Sequence, residues 1–95
     1  MHNNKQPLFP LGKTVATPGA LDALAQAGQT PAQFLRRHQM GDWGILEEAD
    51  KKENDFSVQE SLRILSAYKL ATEVKIWVIT ESDRSVTTIL LPSEY

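Results

Sequence analysis

The pattern of hydrophobic and polar positions changes character near residue 62. Upstream, apolar residues recur at helical spacing between short polar or proline-containing breaks, whereas downstream they alternate or run together as they do in strands. The last third of the chain contains three such runs, at 62–69, 73–80 and 86–91. Because the runs are separated by short turn-like connections, the pattern predicts three consecutive antiparallel strands.

The middle run predicts the central strand of this sheet. Residues 73–80 place apolar side chains on both faces of a strand, with Val74, Ile76 and Val78 on one face and Trp77 and Ile79 on the other. Apolar residues on both faces are typical of a strand that is covered on both sides. We therefore expect Trp77, like Trp43 further upstream, to be substantially buried.

Two helices are predicted upstream from their start and stop signals. Thr17 and Thr30 each precede a proline, and threonine is a good N-cap for a helix whose first residue is proline. Gln33 completes a capping box with Thr30. Gly28 and Gly41 are expected to end the two helices, since glycine tolerates the conformation that follows a last turn.

A third helix is predicted from Ile45 to about Asp55, in a segment rich in glutamate, aspartate and lysine. The charge pattern is typical of a helix whose polar face is solvated. Asn54 and Asp55 are expected to end this helix, because short polar side chains favour turns over helix interiors.

The order of elements predicts an α+β domain. Residues 11–17 form a short N-terminal strand or an extended lead-in, two to three helices follow, and a three-stranded antiparallel meander carries the helices packed on one sheet face. A chain of 95 residues suits a single core, which we place in one domain at 11–95. Residues 1–10 are expected to be a flexible tail.

Composition excludes several function classes. The chain has no cysteine, so it offers no thiol nucleophile, disulfide or thiolate metal site. A net charge of −2 disfavours a broad basic face for nucleic acid. The sequence has no apolar run of membrane-spanning length and no apolar signal segment, so we expect no membrane association and a cytoplasmic location.

The segment 37–44 contains the first candidate site. His38 is followed four residues later by Asp42, and the two side chains are candidates for general acid or base chemistry at the end of a helix. Alternatively, His38 packs at the edge of the core, on the helical face that carries Phe34 and Leu35. Two ligands are too few for a metal site, so neither a metal nor another cofactor is expected.

The second candidate site lies around the turn between the last two strands. Arg84 can present a bidentate fork to a phosphate or carboxylate, and Thr88 follows it on the last strand. Arg63 and Tyr68 join the same ligand-binding patch if the first strand of the meander is a neighbour. The alternative is that these polar residues serve turn and strand formation alone.

Several motifs resemble a family of short bacterial proteins that are carried on plasmids, integrons and other mobile elements. They are Gly-Asp-Trp-Gly at 41–44, Ile-Trp-Val-Ile-Thr-Glu at 76–81, Asp-Arg-Ser-Val-Thr-Thr at 83–88 and Leu-Leu-Pro-Ser-Glu-Tyr at 90–95. The resemblance implies an accessory role on a mobile element and brings no catalytic residues with it. The glycine usual in the turn before the Trp77 strand is absent, and Ala71-Thr72-Glu73 stands in its place.

Two function hypotheses follow. The first is a protein-binding module without catalysis, with a protein partner and a homodimer formed through a sheet edge at 87–91, a run without charge to discourage pairing. The second is a small ribonuclease-like enzyme or RNA-binding protein that uses His38 and Arg84. It rests on the order of elements, which is similar to that of toxin ribonucleases of the RelE and ParE type and of barnase-EndoU-colicin-like nucleases.

Overall fold

The computed structural model describes residues 6–95, and its elements confirm the predicted α+β class. In chain order they are β1 (Lys13–Ala16), α1 (Pro18–Ala27), α2 (Pro31–Gln39), α3 (Glu48–Glu60), β2 (Ile64–Lys69), β3 (Lys75–Thr80), β4 (Val86–Leu90) and a C-terminal 3-10 turn (Pro92–Glu94). Within the described part of the chain, no helix is both long and apolar enough to cross a bilayer.

The four strands form one mixed sheet in the order β1-β4-β3-β2. The antiparallel meander of β2, β3 and β4 is confirmed, and the N-terminal segment is a strand that pairs in parallel with β4. The prediction that 87–91 is an exposed edge is therefore wrong, because β4 has a neighbour on each side. The outermost strands are β1 and β2.

The first two helices begin and end where their capping signals predict. The Thr17 hydroxyl accepts from the Ala20 N–H at 3.1 Å, and the Gln33 side chain accepts from the Thr30 N–H at 3.2 Å. Gly28 has a φ of 68°, which satisfies the left-handed geometry of a helix C-cap.

The third helix runs five residues beyond its predicted end at Asp55 and stops at Glu60. Asn54 does not break it, because its side-chain amide has partners outside the helix. The amide donates to the Leu65 carbonyl at 2.7 Å and accepts from the Leu65 N–H at 3.3 Å. Asparagine is a poor helix residue because its side chain usually hydrogen-bonds to nearby backbone groups in place of the helical bonds. The Asn54 amide is bonded to Leu65 and does not compete in this way.

The helices cover one face of the sheet and bury its apolar residues there. The main cluster consists of Ala20, Leu24, Phe34, Tyr68, Leu70, Ile76, Val78 and Ile89. A second cluster, Phe9, Trp43 and Ile64, lies beside it. Because Phe9 is buried and the Leu8 N–H donates to the Gln39 carbonyl at 2.9 Å, packing begins before residue 11. Residues 1–5 of the predicted tail lie outside the described residues.

The opposite sheet face is here called the outer face. It carries the alternate strand positions Lys13, Val15, Leu65, Ala67, Lys69, Lys75, Trp77, Ile79, Val86, Thr88 and Leu90, of which Ala67, Ile79 and Leu90 are buried. Trp43 is buried as expected, and Trp77 is mostly but not completely buried, so the prediction of substantial burial holds more fully for Trp43 than for Trp77. The reason is strand alternation, which turns Ile76 and Val78 toward the helices and Trp77 away from them. Val74 lies outside β3 and is 40% exposed.

Candidate functional site

His38 lies inside the protein, between α2 and the sheet. Its exposed fraction is 0%, and both ring nitrogens have hydroxyl partners on neighbouring strands. Nδ1 is 2.5 Å from Ser66 Oγ, and Nε2 is 2.9 Å from Thr80 Oγ1. His38, for which the sequence allowed either a catalytic or a structural role, is thus enclosed between its own helix and strands β2 and β3.

The contacts of His38 continue into a chain of hydrogen bonds that ends at the backbone. Thr80 Oγ1 is 2.7 Å from Thr87 Oγ1, and the Thr87 hydroxyl donates to the Leu11 carbonyl at 2.7 Å. A carbonyl can only accept, so the single hydrogen of the Thr87 hydroxyl is used on Leu11. The Thr80 hydroxyl must then donate to Thr87, and His38 Nε2–H must donate to Thr80. His38 is therefore the Nε2–H tautomer, and its Nδ1 accepts from Ser66.

The surroundings of the imidazole hold it neutral. Burial, together with a smaller effect of the positive charge of Arg84, lowers the pKa of His38 to about 3. Phe9 and Trp43 approach edge-on, with ring centroids 5.2 Å and 6.0 Å from the imidazole. A ring in this site neither takes up a proton near neutral pH nor meets solvent, so its polar atoms serve the core.

Asp42 is turned toward Arg37 and away from His38. Its Oδ2 accepts from Arg37 Nε at 2.6 Å, and its Oδ1 accepts from the Gly44 N–H at 3.1 Å. The hydrogen bond from Arg37 is the main reason that the pKa of Asp42 lies below its ordinary value. The predicted acid–base pair of His38 and Asp42 is not formed.

Tyr68 is buried beneath this corner. Its hydroxyl donates to the Asp42 carbonyl at 2.6 Å, the Arg37 guanidinium lies 4.6 Å from its ring centroid, and burial raises its pKa. Gly44 packs against the same strand with a φ of 80°, and a Cβ there would stand 1.8 Å from the Ala67 carbonyl oxygen. Gly44 is thus required for close backbone approach, and it lets the 41–44 turn close over β2.

Arg84 uses its guanidinium on backbone carbonyls. Nη1 donates to Leu62 at 2.7 Å, to Glu81 at 3.1 Å and to Ser82 at 3.3 Å, and Nη2 donates to Ser57 at 3.0 Å. These bonds tie the turn between β3 and β4 to the end of α3. Most of the hydrogen-bonding capacity of Nη1, and one bond of Nη2, are therefore used on the protein's own backbone.

Arg63 and Thr88 lie apart from the other candidates. Arg63 Nη1 donates to the Tyr95 hydroxyl at 2.6 Å, and its Nη2 is 3.6 Å from a Glu81 carboxylate oxygen. Thr88 is on the outer face, opposite Ile79. The structure thus separates the predicted site residues into a corner on the helix side, with His38, Asp42, Tyr68 and Arg84, and an outer pair, with Arg63 and Thr88.

The outer face has its own aromatic cluster, which the sequence patterns did not indicate as a site. Tyr95 packs edge-on against Trp77 with ring centroids 5.6 Å apart, and Arg63 lies 5.3 Å from the Tyr95 ring centroid. Tyr95 is 65% exposed. Two features of the sequence could have indicated this cluster. Tyr95 is an aromatic residue shortly after the last strand, and the strand that contains Trp77 has apolar residues on both of its faces.

One end of the outer face is basic. Lys69 and Lys75 are directly opposite each other on β2 and β3. Lys69 is 3.4 Å from the Glu73 carboxylate, whereas Lys75 makes no ion pair with residues 6–95. The apolar and aromatic part of the outer face therefore adjoins an end that carries two lysines.

Two concave regions lie at the margins of the sheet. A cleft of about 320 Å³ separates α3 from β2 and is lined by Asp50, Glu53, Arg63 and Leu65, among others. A groove of about 250 Å³ follows β1. No group of three or more potential metal ligands occurs among residues 6–95.

No family model, curated protein or solved structure matches this chain.

Proposed function

We propose that this protein is a protein-binding module without catalytic activity, of the accessory type carried by bacterial mobile elements, and that its partner binds the outer face. The observation that carries the proposal is the aromatic cluster of Trp77, which is partly exposed, and Tyr95, which is 65% exposed, on the sheet face opposite the main core. Tryptophan, tyrosine and arginine are the residue types that contribute most to protein interfaces.

The chemistry of the face indicates the chemistry of the partner. Trp77 offers apolar area, and the neighbouring Lys75 offers a positive charge without an ion-pair partner in residues 6–95. The matching segment carries an apolar side chain that packs beside Trp77 and an acidic side chain that meets Lys75. A nucleic acid fits less well, because two other cations of this region, Arg63 and Lys69, are already paired with carboxylates.

The ribonuclease-like alternative requires His38 and Arg84 to meet a phosphodiester. Against it stand the enclosure of His38 and the four carbonyl bonds of Arg84. The resemblance to accessory proteins of mobile elements, based on the motifs in 41–44 and 76–95, also supports binding over catalysis.

The proposal is tested by selecting displayed random peptides on the immobilised protein and measuring their affinity for variants. We expect enriched peptides that combine apolar and acidic residues. Trp77→Ala and Lys75→Glu should each weaken binding about tenfold, the equivalent of ~1.4 kcal/mol. Lys52→Glu is the control, because Lys52 is an exposed lysine on α3, away from the outer face.

Two results would contradict this function. One is a set of peptides that bind the Trp77, Lys75 and Lys52 variants equally well. The other is specific RNA cleavage by the purified protein that His38→Gln abolishes while the circular dichroism spectrum is unchanged.

A further inference from the structure

The two outer strands of the sheet differ in how their backbone groups are satisfied. On β2, Asn54 bonds to both backbone groups of Leu65. Further along, the Ala67 N–H donates to the Trp43 carbonyl at 3.2 Å, and the Ala67 carbonyl accepts from the Ile45 N–H at 2.8 Å. The β2 edge is therefore closed by side-chain and loop contacts from the same chain.

The β1 edge faces outward. The Lys13 N–H donates to the Ser85 carbonyl, and the Thr17 N–H donates to the Ile89 carbonyl, each at 3.0 Å. Backbone groups in a parallel ladder alternate in direction, so the N–H and C=O groups of Thr14 and Ala16 point away from β4. A strand edge of this kind is a template for another strand.

We propose that β1 pairs with β1 of a second copy of this chain, antiparallel and with the two-fold axis at Val15. In this register Thr14 of each copy exchanges backbone hydrogen bonds with Ala16 of the other, which satisfies the outward groups of both strands. The two four-stranded sheets then form one continuous sheet, with both outer faces on the same side.

The groove beside β1 supplies an apolar contact for the same pairing. It has a volume of about 250 Å³ and is lined by Thr14–Ala16 together with Leu21, Pro31 and Leu35. Leu21 beside the groove is 48% exposed, and Val15 on the outer side of β1 is 38% exposed. Pairing of the strands brings the groove of one copy against that of the other, so that Leu21 is covered on the helix side, while Val15 meets Val15 of the other copy on the outer face.

Charge complementarity favours a second copy as the occupant. The register places Lys13 opposite Thr17 of the other copy, and the Thr17 hydroxyl donates to the Glu94 carboxylate at 2.6 Å. The lysine of each copy thus meets the glutamate of the other, and no charged residue of the strand faces itself. This self-complementarity is what a two-fold interface requires, and it is independent of the partner proposed for the outer face.

A single introduced cysteine tests the register, because the chain has none of its own. Val15 faces Val15 of the other copy in a non-hydrogen-bonded pair, where Cα atoms lie about 4.5 Å apart and a disulfide can form. Val15→Cys should cross-link rapidly on oxidation at tens of micromolar protein. Val74→Cys is the control, since Val74 is 40% exposed against 38% for Val15 but lies in the turn between β2 and β3.

Sedimentation equilibrium tests the groove in the chain without cysteine. We expect the wild-type protein to reach the dimer mass and Leu21→Lys to remain a monomer. Leu62→Lys should still dimerise, since Leu62 has a similar exposure of 44% but is remote from β1. Circular dichroism confirms that each variant is folded.

Three outcomes would overturn self-pairing. They are a wild-type protein that stays monomeric throughout the concentration range, cross-linking of Val15→Cys no faster than that of Val74→Cys, and a dimer lost equally in the Leu21 and Leu62 variants.

Discussion

The corner around His38 and the outer face around Trp77 both combine aromatic rings with polar groups, but they differ in access. In the corner, Phe9 and Trp43 enclose the imidazole, and each polar atom of the chain from Ser66 to Leu11 has a partner. On the outer face, Trp77 and Tyr95 remain in contact with solvent.

The type of a residue does not by itself show whether its side chain is available to a ligand or partner. Histidine and arginine are the usual residues of catalysis, and here they complete hydrogen bonds inside the fold. Once His38 and Arg84 are used in this way, Trp77, Tyr95 and Lys75 are among the side chains that keep contact with solvent.

Removing the imidazole should be the most damaging change. His38→Ala leaves a cavity and deprives the Ser66 and Thr80 hydroxyls of a partner, so we expect a loss of about 3–5 kcal/mol in the free energy of unfolding. Urea denaturation measures the loss. Arg36→Ala, at an exposed position on the same helix, is the control and should change stability by less than ~0.5 kcal/mol. Equal stability of the two variants would contradict a structural role for His38.

The pKa of His38 predicts a pH dependence of stability. Its value is about 3 in the folded protein and 6.5 in the unfolded chain, so between these values the unfolded chain binds more protons. Stability is therefore full above pH 6.5 and falls as the pH is lowered toward 3. From pH 7 to pH 5 the expected loss is about 2 kcal/mol.

Denaturant unfolding at pH 7, 6 and 5 checks this dependence. His38→Gln removes the titrating ring and should flatten the profile in this window. The lowered pKa values of Asp42, Asp83 and Glu94 affect stability at lower pH, outside the window. The same slope in the wild type and in His38→Gln would show that the imidazole is not the group responsible.

The two tryptophans should differ in their contribution to stability. Trp43→Ala empties a site in the second core cluster and should cost about 3–5 kcal/mol. Trp77→Ala removes a partly exposed ring and should cost about 1–2 kcal/mol, because less apolar area leaves water on folding. Thermal melts of both variants, followed by circular dichroism, give the comparison. A Trp77 variant as unstable as the Trp43 variant would mean that the outer face is covered.

The smallest stability effect is expected at Tyr95. Tyr95→Ala should cost less than ~1 kcal/mol, since the side chain is 65% exposed. It should nevertheless increase the acrylamide quenching of Trp77 fluorescence, measured in a Trp43→Phe background. Tyr95→Phe is the control, because it keeps the ring beside Trp77 and loses the hydroxyl that Arg63 contacts. Equal quenching in the alanine and phenylalanine variants would remove Tyr95 from the cluster.

Elements controlled by neighbouring residues could be predicted from the sequence. The starts of α1 and α2 follow from Thr17 and Thr30, whose capping contacts span three residues. The three strands of the meander follow from apolar runs of matching length. In these cases the deciding interactions are local, so the pattern contains them.

Features that depend on distant residues required the tertiary structure. The end of α3 depends on Asn54 meeting Leu65, and the turn before β3 depends on Glu73 adopting a φ of 75°, a conformation that favours glycine. The pairing of β1 with β4 joins the two ends of the described chain, and no local signal encodes it.

The candidate site shows the same division. The sequence by itself determined that His38 lies on an apolar helical face and that Arg84 lies in a turn. The tertiary structure decided their roles, because the partners of His38 are 28 and 42 residues away and one partner of Arg84 is 27 residues away. Burial and hydrogen-bond partners arise when distant segments pack together, and they determine whether a reactive side chain is available for function.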